Sequence, residues 1–434
     1  MILIAEKSEK HDKVGKAEKA EKTEKTDKVD KKLVPDFNIG IVGHVDHGKT
    51  TLTEALTGKW TDTHSEEIKR GISIRLGYAD ITIYKCPKCK GSKAYSTTKK
   101  CISCFSTGEP VRTISFVDAP GHETLMATVL SGAALMDGAL LVIAANEECP
   151  QPQTYEHLMA LNIVGISKVI IVQTKIDLVT KEQALANYQQ IKGFVKGTIA
   201  ENAPIVPISS RQRVNLDVLI ETIDEVMKPA QRDPKKTPKF LIARSFDVNK
   251  PGTAIEKLEG GVIGGSLIQG RLKIGDEIQI MPGIKVKDRY EPVNTRITGL
   301  QKAGKNLDEI EPGGLAGMST TLDPYLTKSD SLSGSIASIP GKLPQALSKF
   351  KMKTTLLKRV VGVKEGPDVG GIKTSDILLV TLATMRTTGS VISARPGEID
   401  VTLKSPLCAD KGEKVAISKL FSGRWRLVGY GEIA

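Results

Sequence analysis

The 434-residue chain lacks any apolar run that approaches the roughly 20 residues of a membrane-spanning helix, which excludes a helical membrane protein. We also expect no signal peptide, because the apolar opening MILIA is too short for a hydrophobic core and charged residues follow it at once. These two absences predict a cytoplasmic protein with no membrane partner.

Cysteine is scarce, with six residues in the chain. Cys149 and Cys408 are isolated, which is typical of plain thiols. The other four form two C-x-x-C pairs with eleven residues between them: Cys86, Cys89, Cys101 and Cys104. In a reducing compartment such pairs predict a tetrahedral Zn²⁺ site with a structural role, since a short insert cannot build its own core. Four reduced thiols without metal remain the alternative.

The segment that follows MILIA, residues 6–32, has almost nothing apolar to bury. Residues 6–32 repeat Lys and Glu, with Lys at every third position from Lys7 to Lys31, a period that builds no apolar helix face. We expect this tail (residues 1–34) to be disordered or transiently helical. It is either a solvated tail without a specific role or a polyelectrolyte arm for RNA or the ribosome. The net charge of +12 alone favours a polyanionic partner only weakly.

From residue 35 the chain alternates short apolar runs with helical stretches, as in FNIGIVG followed by KTTLTEAL. This alternation predicts a doubly wound, mostly parallel α/β sheet over residues 35–232, with a cysteine insert at 85–110. After a Pro/Lys-rich linker, glycine-punctuated Val/Ile runs predict a β-barrel over 233–345 and a second one over 346–434. Sites in such sheets lie beyond the carboxyl ends of the strands.

Two motifs follow predicted strands. GHVDHGKT, residues 43–50, matches G-x-x-x-x-G-K-[ST], in which backbone N–H groups cradle phosphates, Lys49 neutralises the β- and γ-phosphates and Thr50 binds Mg²⁺. In DAPGH, residues 118–122, Asp118 is placed to hold Mg²⁺ through water and Gly121 to donate its N–H to a γ-phosphate. His122 follows and is the candidate catalytic residue that orients the attacking water.

GHVDHGKTTL, together with RGIS, DAPGH and TKID, resembles the translational GTPases related to elongation factor Tu. Further stretches resemble the gamma subunits of archaeal and eukaryotic translation initiation factor 2, among them APGHETLMATVLSGAALMDGALLVIAANE, RSFDVNKPGT and GRWRLVGYG. The resemblance covers about residues 36–434 and implies a GTPase domain with a zinc knuckle, followed by two β-barrels. It also implies GTP and GDP as ligands, with Mg²⁺ and a structural Zn²⁺.

The resemblance assigns the guanine site to TKID and ISS. Asp177 would accept hydrogen bonds from N1–H and the 2-amino group of guanine, and Lys175 would lie along the base. Thr174 stands where the family has Asn, so we expect nucleotide binding to be weaker by about 1 kcal/mol without a change of base. The Ser209 side chain would brace the last loop and the Ser210 N–H would contact O6. The complete nucleotide-binding prediction comprises Asp46, His47, Gly48, Lys49, Thr50, Thr51, Gly121, Thr174, Lys175, Ile176, Asp177, Ser209, Ser210 and Arg211.

In the predicted first switch, RGISIRLGY, Ser73 stands where the family usually has Thr. Its hydroxyl would complete the Mg²⁺ shell, but without the methyl group that restricts χ1 we expect a looser switch. Val45 and Ile72 resemble the apolar gate before His122, while Asp46 and the Gly71 carbonyl are candidates for a second Mg²⁺. The predicted Mg²⁺ ligands are thus Asp46, Thr50, Gly71, Ser73 and Asp118.

The resemblance implies GTP-dependent delivery of methionylated initiator tRNA to the small ribosomal subunit, with alpha and beta partner subunits. Hydrolysis of GTP to GDP and phosphate would drive release, at a slow intrinsic rate. Two alternatives stay open at this point. One is an elongation-type carrier of other aminoacyl-tRNAs, and the other is an RNA-binding scaffold that holds GTP without useful hydrolysis.

Overall fold

The computed structural model describes residues 30–61, 76–122, 125–229, 232–360 and 367–434. Most of the predicted tail and the first-switch residues Gly71, Ile72 and Ser73 lie outside the described residues. Within the described ranges, no helix is long and apolar enough to cross a membrane.

The first part of the chain forms a seven-stranded sheet in the order β3-β2-β4-β1-β5-β6-β7. The strands are β1 (Pro35–Gly43), β2 (Gly77–Lys85), β3 (Tyr95–Ser96), β4 (Glu109–Asp118), β5 (Gly138–Ala144), β6 (Val169–Thr174) and β7 (Ile205–Pro207). Strands β4, β1, β5, β6 and β7 run parallel, and β2 and β3 extend the sheet as an antiparallel edge. The central strands are apolar on both faces, because helices cover the sheet on each side.

Among the described residues, five helices accompany this sheet: α1 (Lys49–Thr57), α2 (Met126–Ala133), α3 (Pro152–Val164), α4 (Lys181–Val195) and α5 (Leu216–Val226). Their ends follow local rules of helix capping. Helix α4 begins with a capping box between Thr180 and Gln183, and α3 ends at Gly165 in the left-handed conformation, with φ of 89°. Two cores, one on each face of the sheet, hold these helices in place.

The first β-barrel follows. Six of its strands form a closed ring, which the pairing of β11 with β12 completes. Its elements are β8 (Lys239–Phe246), β9 (Val262–Gln269), β10 (Leu272–Lys273), β11 (Glu277–Val286), β12 (Arg289–Lys302), β13 (Lys305–Leu307), β14 (Glu309–Ile310), β15 (Ala316–Thr320), helix α6 (Pro324–Thr327) and β16 (Ile336–Ser338). Its interior is an apolar cluster that includes Phe240, Ile278 and Met318.

The last part is a closed six-stranded barrel in the order β17-β20-β19-β18-β21-β22. The strands are β17 (Ala346–Leu356), β18 (Ile377–Leu382), β19 (Met385–Arg395), β20 (Glu398–Cys408), β21 (Lys414–Phe421) and β22 (Arg424–Ile433). The predicted fold class, an α/β domain with a cysteine insert followed by two β-barrels, is therefore confirmed. The boundaries at 232/233 and 345/346 stay predictions.

Both barrels pack against the α/β domain. The Asn38 amide of β1 donates to the Leu135 carbonyl at 2.8 Å and to the Ser266 hydroxyl of the first barrel at 3.1 Å. Helix α2 contacts β18, β19 and β22 of the second barrel, where Arg386 donates to the Thr128 hydroxyl at 2.9 Å. The helix that follows β4 is thus in direct contact with the last barrel.

A buried ion pair also joins the α/β domain to the last barrel. Glu156 on α3 is fully buried, and an oxygen of its carboxylate lies 3.8 Å from Nη1 of Arg426 on β22. Burial raises the pKa of Glu156 from 4.5 to about 7, although Arg426 and the Leu427 N–H both act to lower it. The effect of desolvation on the pKa of Glu156 is therefore larger than the opposing effect of the ion pair with Arg426.

We predict that Glu156 makes stability depend on pH. Because its folded pKa is raised, its contribution is most favourable below pH 4.5 and is lost as the pH rises through about 7. Glu156→Gln mimics the protonated form at every pH. The stability of the wild type relative to this variant should therefore fall between pH 5 and pH 8, by on the order of 2 kcal/mol. Thermal unfolding midpoints of both proteins across this range measure it, and a constant difference would refute the assignment.

Candidate active site

The loop between β1 and α1 has the backbone of a phosphate-binding loop. Strand β1 ends at Gly43, and α1 begins at Lys49 directly after Gly48, whose φ is 86°. Asp46 is also left-handed, with φ of 60°. A Cβ on Gly48 would meet no atom within 4 Å, so backbone conformation rather than space favours glycine there. This geometry presents the N–H groups at the start of α1 to an anion.

A cleft of 470 Å³ opens beside this loop, beyond the carboxyl ends of β1, β4 and β6. Twelve of the predicted site residues line it: Asp46, Gly48, Lys49, Thr50, Thr51, Gly121, His122, Thr174, Lys175, Asp177, Ser210 and Arg211. Val45, Trp60 and Leu178 complete the wall. Neither Trp60 nor Leu178 was predicted, although a half-exposed tryptophan just after α1 is a signal that the sequence offers. His47, Asp118, Ile176 and Ser209 are not among the lining residues.

The turn after β4 lies directly against the phosphate loop. The Lys49 ammonium donates to the His44 carbonyl at 2.6 Å. A Cβ on Gly121 would lie 2.3 Å from Lys49 Nζ and 3.0 Å from the Val45 nitrogen. The Lys49 ammonium could move away from such a Cβ, but the backbone atoms of Val45 and Gly43, at 3.0 and 3.1 Å, leave little room for one, so glycine favours this close approach.

Asp118 ends β4 beside the start of α1, because it is in register with Ile41 of β1. Its buried carboxylate accepts from the Thr50 hydroxyl at 3.1 Å and from the Thr61 hydroxyl at 2.7 Å. These oxygens are hard ligands of the kind that Mg²⁺ prefers, and the predicted pair Thr50 and Asp118 is already together. The Thr61 hydroxyl, which was not predicted, supplies a further oxygen beside the Asp118 carboxylate.

Thr174 at the end of β6 links the base loop to the phosphate loop. Its buried hydroxyl donates to the His47 carbonyl at 2.7 Å and lies 3.4 Å from the Ile143 carbonyl. The neighbouring loop has its own brace, since the Ser209 hydroxyl accepts from the Gln212 N–H at 3.1 Å. The connection to the phosphate loop that Asn normally supplies is therefore present with Thr.

Two buried histidines support the phosphate loop from behind. His47 Nδ1–H donates to the Val142 carbonyl at 3.0 Å, and His157 Nδ1 accepts from the Gly43 N–H at 2.8 Å. Burial lowers the pKa of each to about 3, so both imidazoles are neutral at physiological pH. His47 thus contributes its backbone near the cleft rather than its ring, and the role of His157, in α3, was not predicted.

The four clustered cysteines come together at the tip of the insert. Cys86 Sγ lies 3.4 Å from Cys104 Sγ, Cys89 Sγ lies 3.7 Å from Cys101 Sγ, and all four sulfurs are within 4.8 Å of one another. These distances exclude disulfides, and they fit a tetrahedral metal, because Zn–S bonds of about 2.3 Å imply S···S separations of about 3.8 Å. Hydrogen bonds from Ser106 lower the pKa of the Cys104 thiol to about 6.

The fold and the cleft define a class: a P-loop GTPase with two β-barrel domains. Family models agree with this, since residues 35–229 match the elongation factor Tu GTP binding domain and residues 260–335 match elongation factor Tu domain 2. Residues 348–433 match the model described as initiation factor eIF2 gamma, C terminal.

Among curated proteins, the chain is 59% identical over 402 residues to translation initiation factor 2 subunit gamma of Methanothermobacter thermautotrophicus, covering 92% of this chain and 98% of the relative. It is 56% identical over 401 residues to the corresponding subunit of Archaeoglobus fulgidus, covering 92% and 95%. The chain therefore belongs to the gamma subunit family of translation initiation factor 2. It is a GTP-binding GTPase of translation initiation.

Solved structures support the fold alone. A bacterial selenocysteine-specific elongation factor, EF-Sec, superposes with a TM-score of 0.70 at 24% identity, covering 92% of this chain and 58% of that one. Elongation factor SelB from Methanococcus maripaludis, in complex with the GTP analogue GppNHp, gives a TM-score of 0.68 at 23% identity, covering 92% and 79%. The roles of the individual site residues stay predictions.

We predict that Thr174→Asn tightens GTP and GDP binding equally, by about fivefold, because the longer amide keeps the link to His47 and also reaches the purine. Thr174→Val is the matched variant, since it keeps the shape but removes the hydroxyl that donates to the His47 carbonyl. It should weaken both nucleotides by roughly 1–3 kcal/mol. Displacement of a fluorescent guanine nucleotide by GTP, GDP, ATP and xanthosine nucleotides measures affinity and base choice together.

Two outcomes would contradict this account of Thr174. Wild-type affinity in Thr174→Val would show that the hydroxyl link is dispensable. Effective competition by ATP in the wild type would remove Asp177 from its assigned role.

Proposed function

We propose that this chain carries methionylated initiator tRNA to the small ribosomal subunit in its GTP-bound form, and that hydrolysis to GDP and phosphate drives release. Membership of the gamma subunit family supports the tRNA and the ribosomal subunit as partners, and the close approach of Gly121 to Lys49 carries the dependence on GTP. A γ-phosphate held by Lys49 would lie beside the Gly121 N–H, so the turn after β4 is placed to sense it.

Only a short stretch of sequence connects this turn to the helix that contacts the last barrel. Four residues separate Gly121 from Met126, the first residue of α2, and α2 packs on three strands of the last barrel. A change in the turn is therefore placed to alter how the last barrel sits on the α/β domain. Such coupling is what a nucleotide-dependent carrier of tRNA requires.

Each part of the cleft has an assigned role. The Lys49 ammonium would neutralise the β- and γ-phosphates, the Thr50 hydroxyl would bind Mg²⁺, and the Asp118 carboxylate would hold it through water. Bound Mg²⁺ supplies positive charge to the phosphates. Asp177 would select guanine because its carboxylate accepts from N1–H and the 2-amino group, which adenine cannot match.

His122 is the proposed orienting residue for the attacking water, since it lines the cleft beside Gly121. Val45 lies in the same wall and would act as the apolar gate before it. We propose that intrinsic hydrolysis is slow because an outside event has to position His122. Alpha and beta subunits of the same factor are proposed partners, in line with the family.

We predict tight binding of methionylated initiator tRNA with GTP and weak binding with GDP, measured by filter binding. Elongator methionyl-tRNA is the control, and equal binding of it would favour the elongation-type carrier. Binding that is independent of GTP would refute the switch. Single-turnover GTP hydrolysis on small ribosomal subunits separates a working GTPase from a scaffold that holds GTP.

Gly121→Ala tests the contact that carries the dependence on GTP within the same assay. Its Cβ would collide with Lys49 Nζ, so the variant should keep GDP binding within a few-fold but lose most of the preference of the tRNA for the GTP form. Gly193→Ala in α4 is the matched control, since a Cβ there meets no atom within 4 Å. A Gly121→Ala protein with a normal GTP preference would show that the close approach is not the sensor.

We predict one Zn²⁺ per chain at the four cysteines. Cys86→Ser/Cys101→Ser should lose the metal and lower the unfolding midpoint, because both sulfurs are buried in the core under the sheet. Cys149→Ser, outside the cluster, should keep the metal. Elemental analysis by mass spectrometry after dialysis measures the zinc content, and a wild type without zinc would leave four reduced thiols as the correct description.

A further inference from the structure

The cysteine insert has a strongly basic surface that the nucleotide cycle does not use. The insert, residues 85–110, contains six lysines and a single acidic residue, Glu109, which lies opposite Lys85 in the pairing of β2 with β4. Lys85 donates to the Tyr95 hydroxyl at 3.0 Å, and the other five lysines are exposed. We define the knuckle surface as these five lysines with two exposed apolar residues: Lys88, Lys90, Lys93, Lys99, Lys100, Ile102 and Phe105.

Phe105 and Ile102 are unusual for a free surface, since 71% of each residue is exposed. Phe105 also has φ of 59°, a left-handed conformation that a bulky side chain adopts only at an energetic cost. The first knuckle has a glycine, Gly91, in the corresponding conformation, with φ of 60°. Phe105 thus occupies a backbone conformation that glycine would adopt with less strain, and its ring is exposed. This combination indicates that the ring binds something.

The insert is held firmly enough to serve as a binding surface. The Cys86 N–H donates to the Ala94 carbonyl at 2.7 Å, and the Phe105 N–H donates to the Cys101 carbonyl at 3.0 Å. Residues 91–94 and β3 pack against α5. Ala94 and Tyr95 belong to the hydrophobic core on that face of the sheet. The exposed side chains are therefore presented from an ordered base.

The knuckle surface lies at the far end of the sheet from the cleft. Lys85 of β2 pairs with Glu109, where β4 begins, whereas Asp118 at the cleft is where β4 ends. The ten residues of β4 span roughly 30 Å. The part of a ligand that contacts the knuckle surface is therefore remote from the phosphate loop, and this contact should not depend directly on GTP.

We infer that the knuckle surface binds an unpaired segment of RNA in the small ribosomal subunit. The exposed lysines complement phosphates, and an exposed phenylalanine offers a face on which an unstacked base can stack. Ribosomal RNA fits better than the carried tRNA, because the carried tRNA has to sense the nucleotide and this surface is remote from it. The inference rests on the proposed function for the identity of the ribosomal partner.

The test uses three variants of the full chain. Phe105→Gly removes the ring and suits the left-handed backbone, and Lys99→Ala/Lys100→Ala removes two charges. Lys192→Ala/Lys196→Ala removes the same charge from exposed positions at α4 and just after it, and is the matched control. Affinity for small ribosomal subunits is measured with and without initiator tRNA at several salt concentrations, and zinc content and unfolding midpoint are checked for each variant.

Phe105→Gly should weaken subunit binding by about 5- to 150-fold, the range expected for one stacked base. A plot of log affinity against log salt concentration has a negative slope. In Lys99→Ala/Lys100→Ala this slope should become less steep by about 1.4, the value for two phosphate contacts to a single strand. The control pair should leave the slope unchanged, and initiator tRNA binding should be unaffected in all variants.

Unchanged subunit affinity in both knuckle variants would overturn the inference. Loss of initiator tRNA binding instead would assign the surface to the carried tRNA, and displacement by polyglutamate but not by polyuridylate RNA would assign it to an acidic protein. Either result would refute ribosomal RNA as the occupant. Because subunit binding is also measured without tRNA, a failure of the proposed tRNA carriage would appear separately, as a wild type that binds subunits but no tRNA.

Discussion

The approach of the turn after β4 to the phosphate loop is the contact on which the rest of the structure depends. Strand β4 lies next to β1, so Asp118 and Gly121 arrive beside the loop between β1 and α1. Glycine at 121 lets the backbone come within reach of the Lys49 ammonium. The Lys49 ammonium, the proposed Mg²⁺ ligands and the N–H proposed to sense the γ-phosphate are consequently gathered in one small volume.

Other parts of the molecule hold this contact in place. His157 accepts from the Gly43 N–H, and the Thr174 hydroxyl donates to the His47 carbonyl, so two neighbouring elements fix the loop. Both histidines behind the loop are neutral, because burial leaves no water to stabilise their charged forms. The last barrel packs on α2, which connects the same turn to a second domain.

The sequence predicted the fold class and most of the cleft, since its key motifs are short and local. GHVDHGKT and DAPGH each combine a strand end with a turn of defined backbone, and two C-x-x-C pairs bring their own ligands close together. It missed Thr61, Trp60 and His157, because these residues belong to no motif and reach the site through packing. Thr174 was expected to reach less far than Asn, yet its hydroxyl makes the link to the phosphate loop.

The sequence by itself determined which chemical groups are available: a phosphate-loop motif, an aspartate that is predicted to select guanine, four thiols and a strand pattern that can form only a few architectures. Tertiary structure decided which groups meet. It brought β4 beside β1, placed the cysteine cluster at the opposite end of the sheet from the cleft and set α2 against the last barrel. The physical reason is that motifs act through local backbone geometry, whereas the neighbours of a residue depend on strand order and long-range packing.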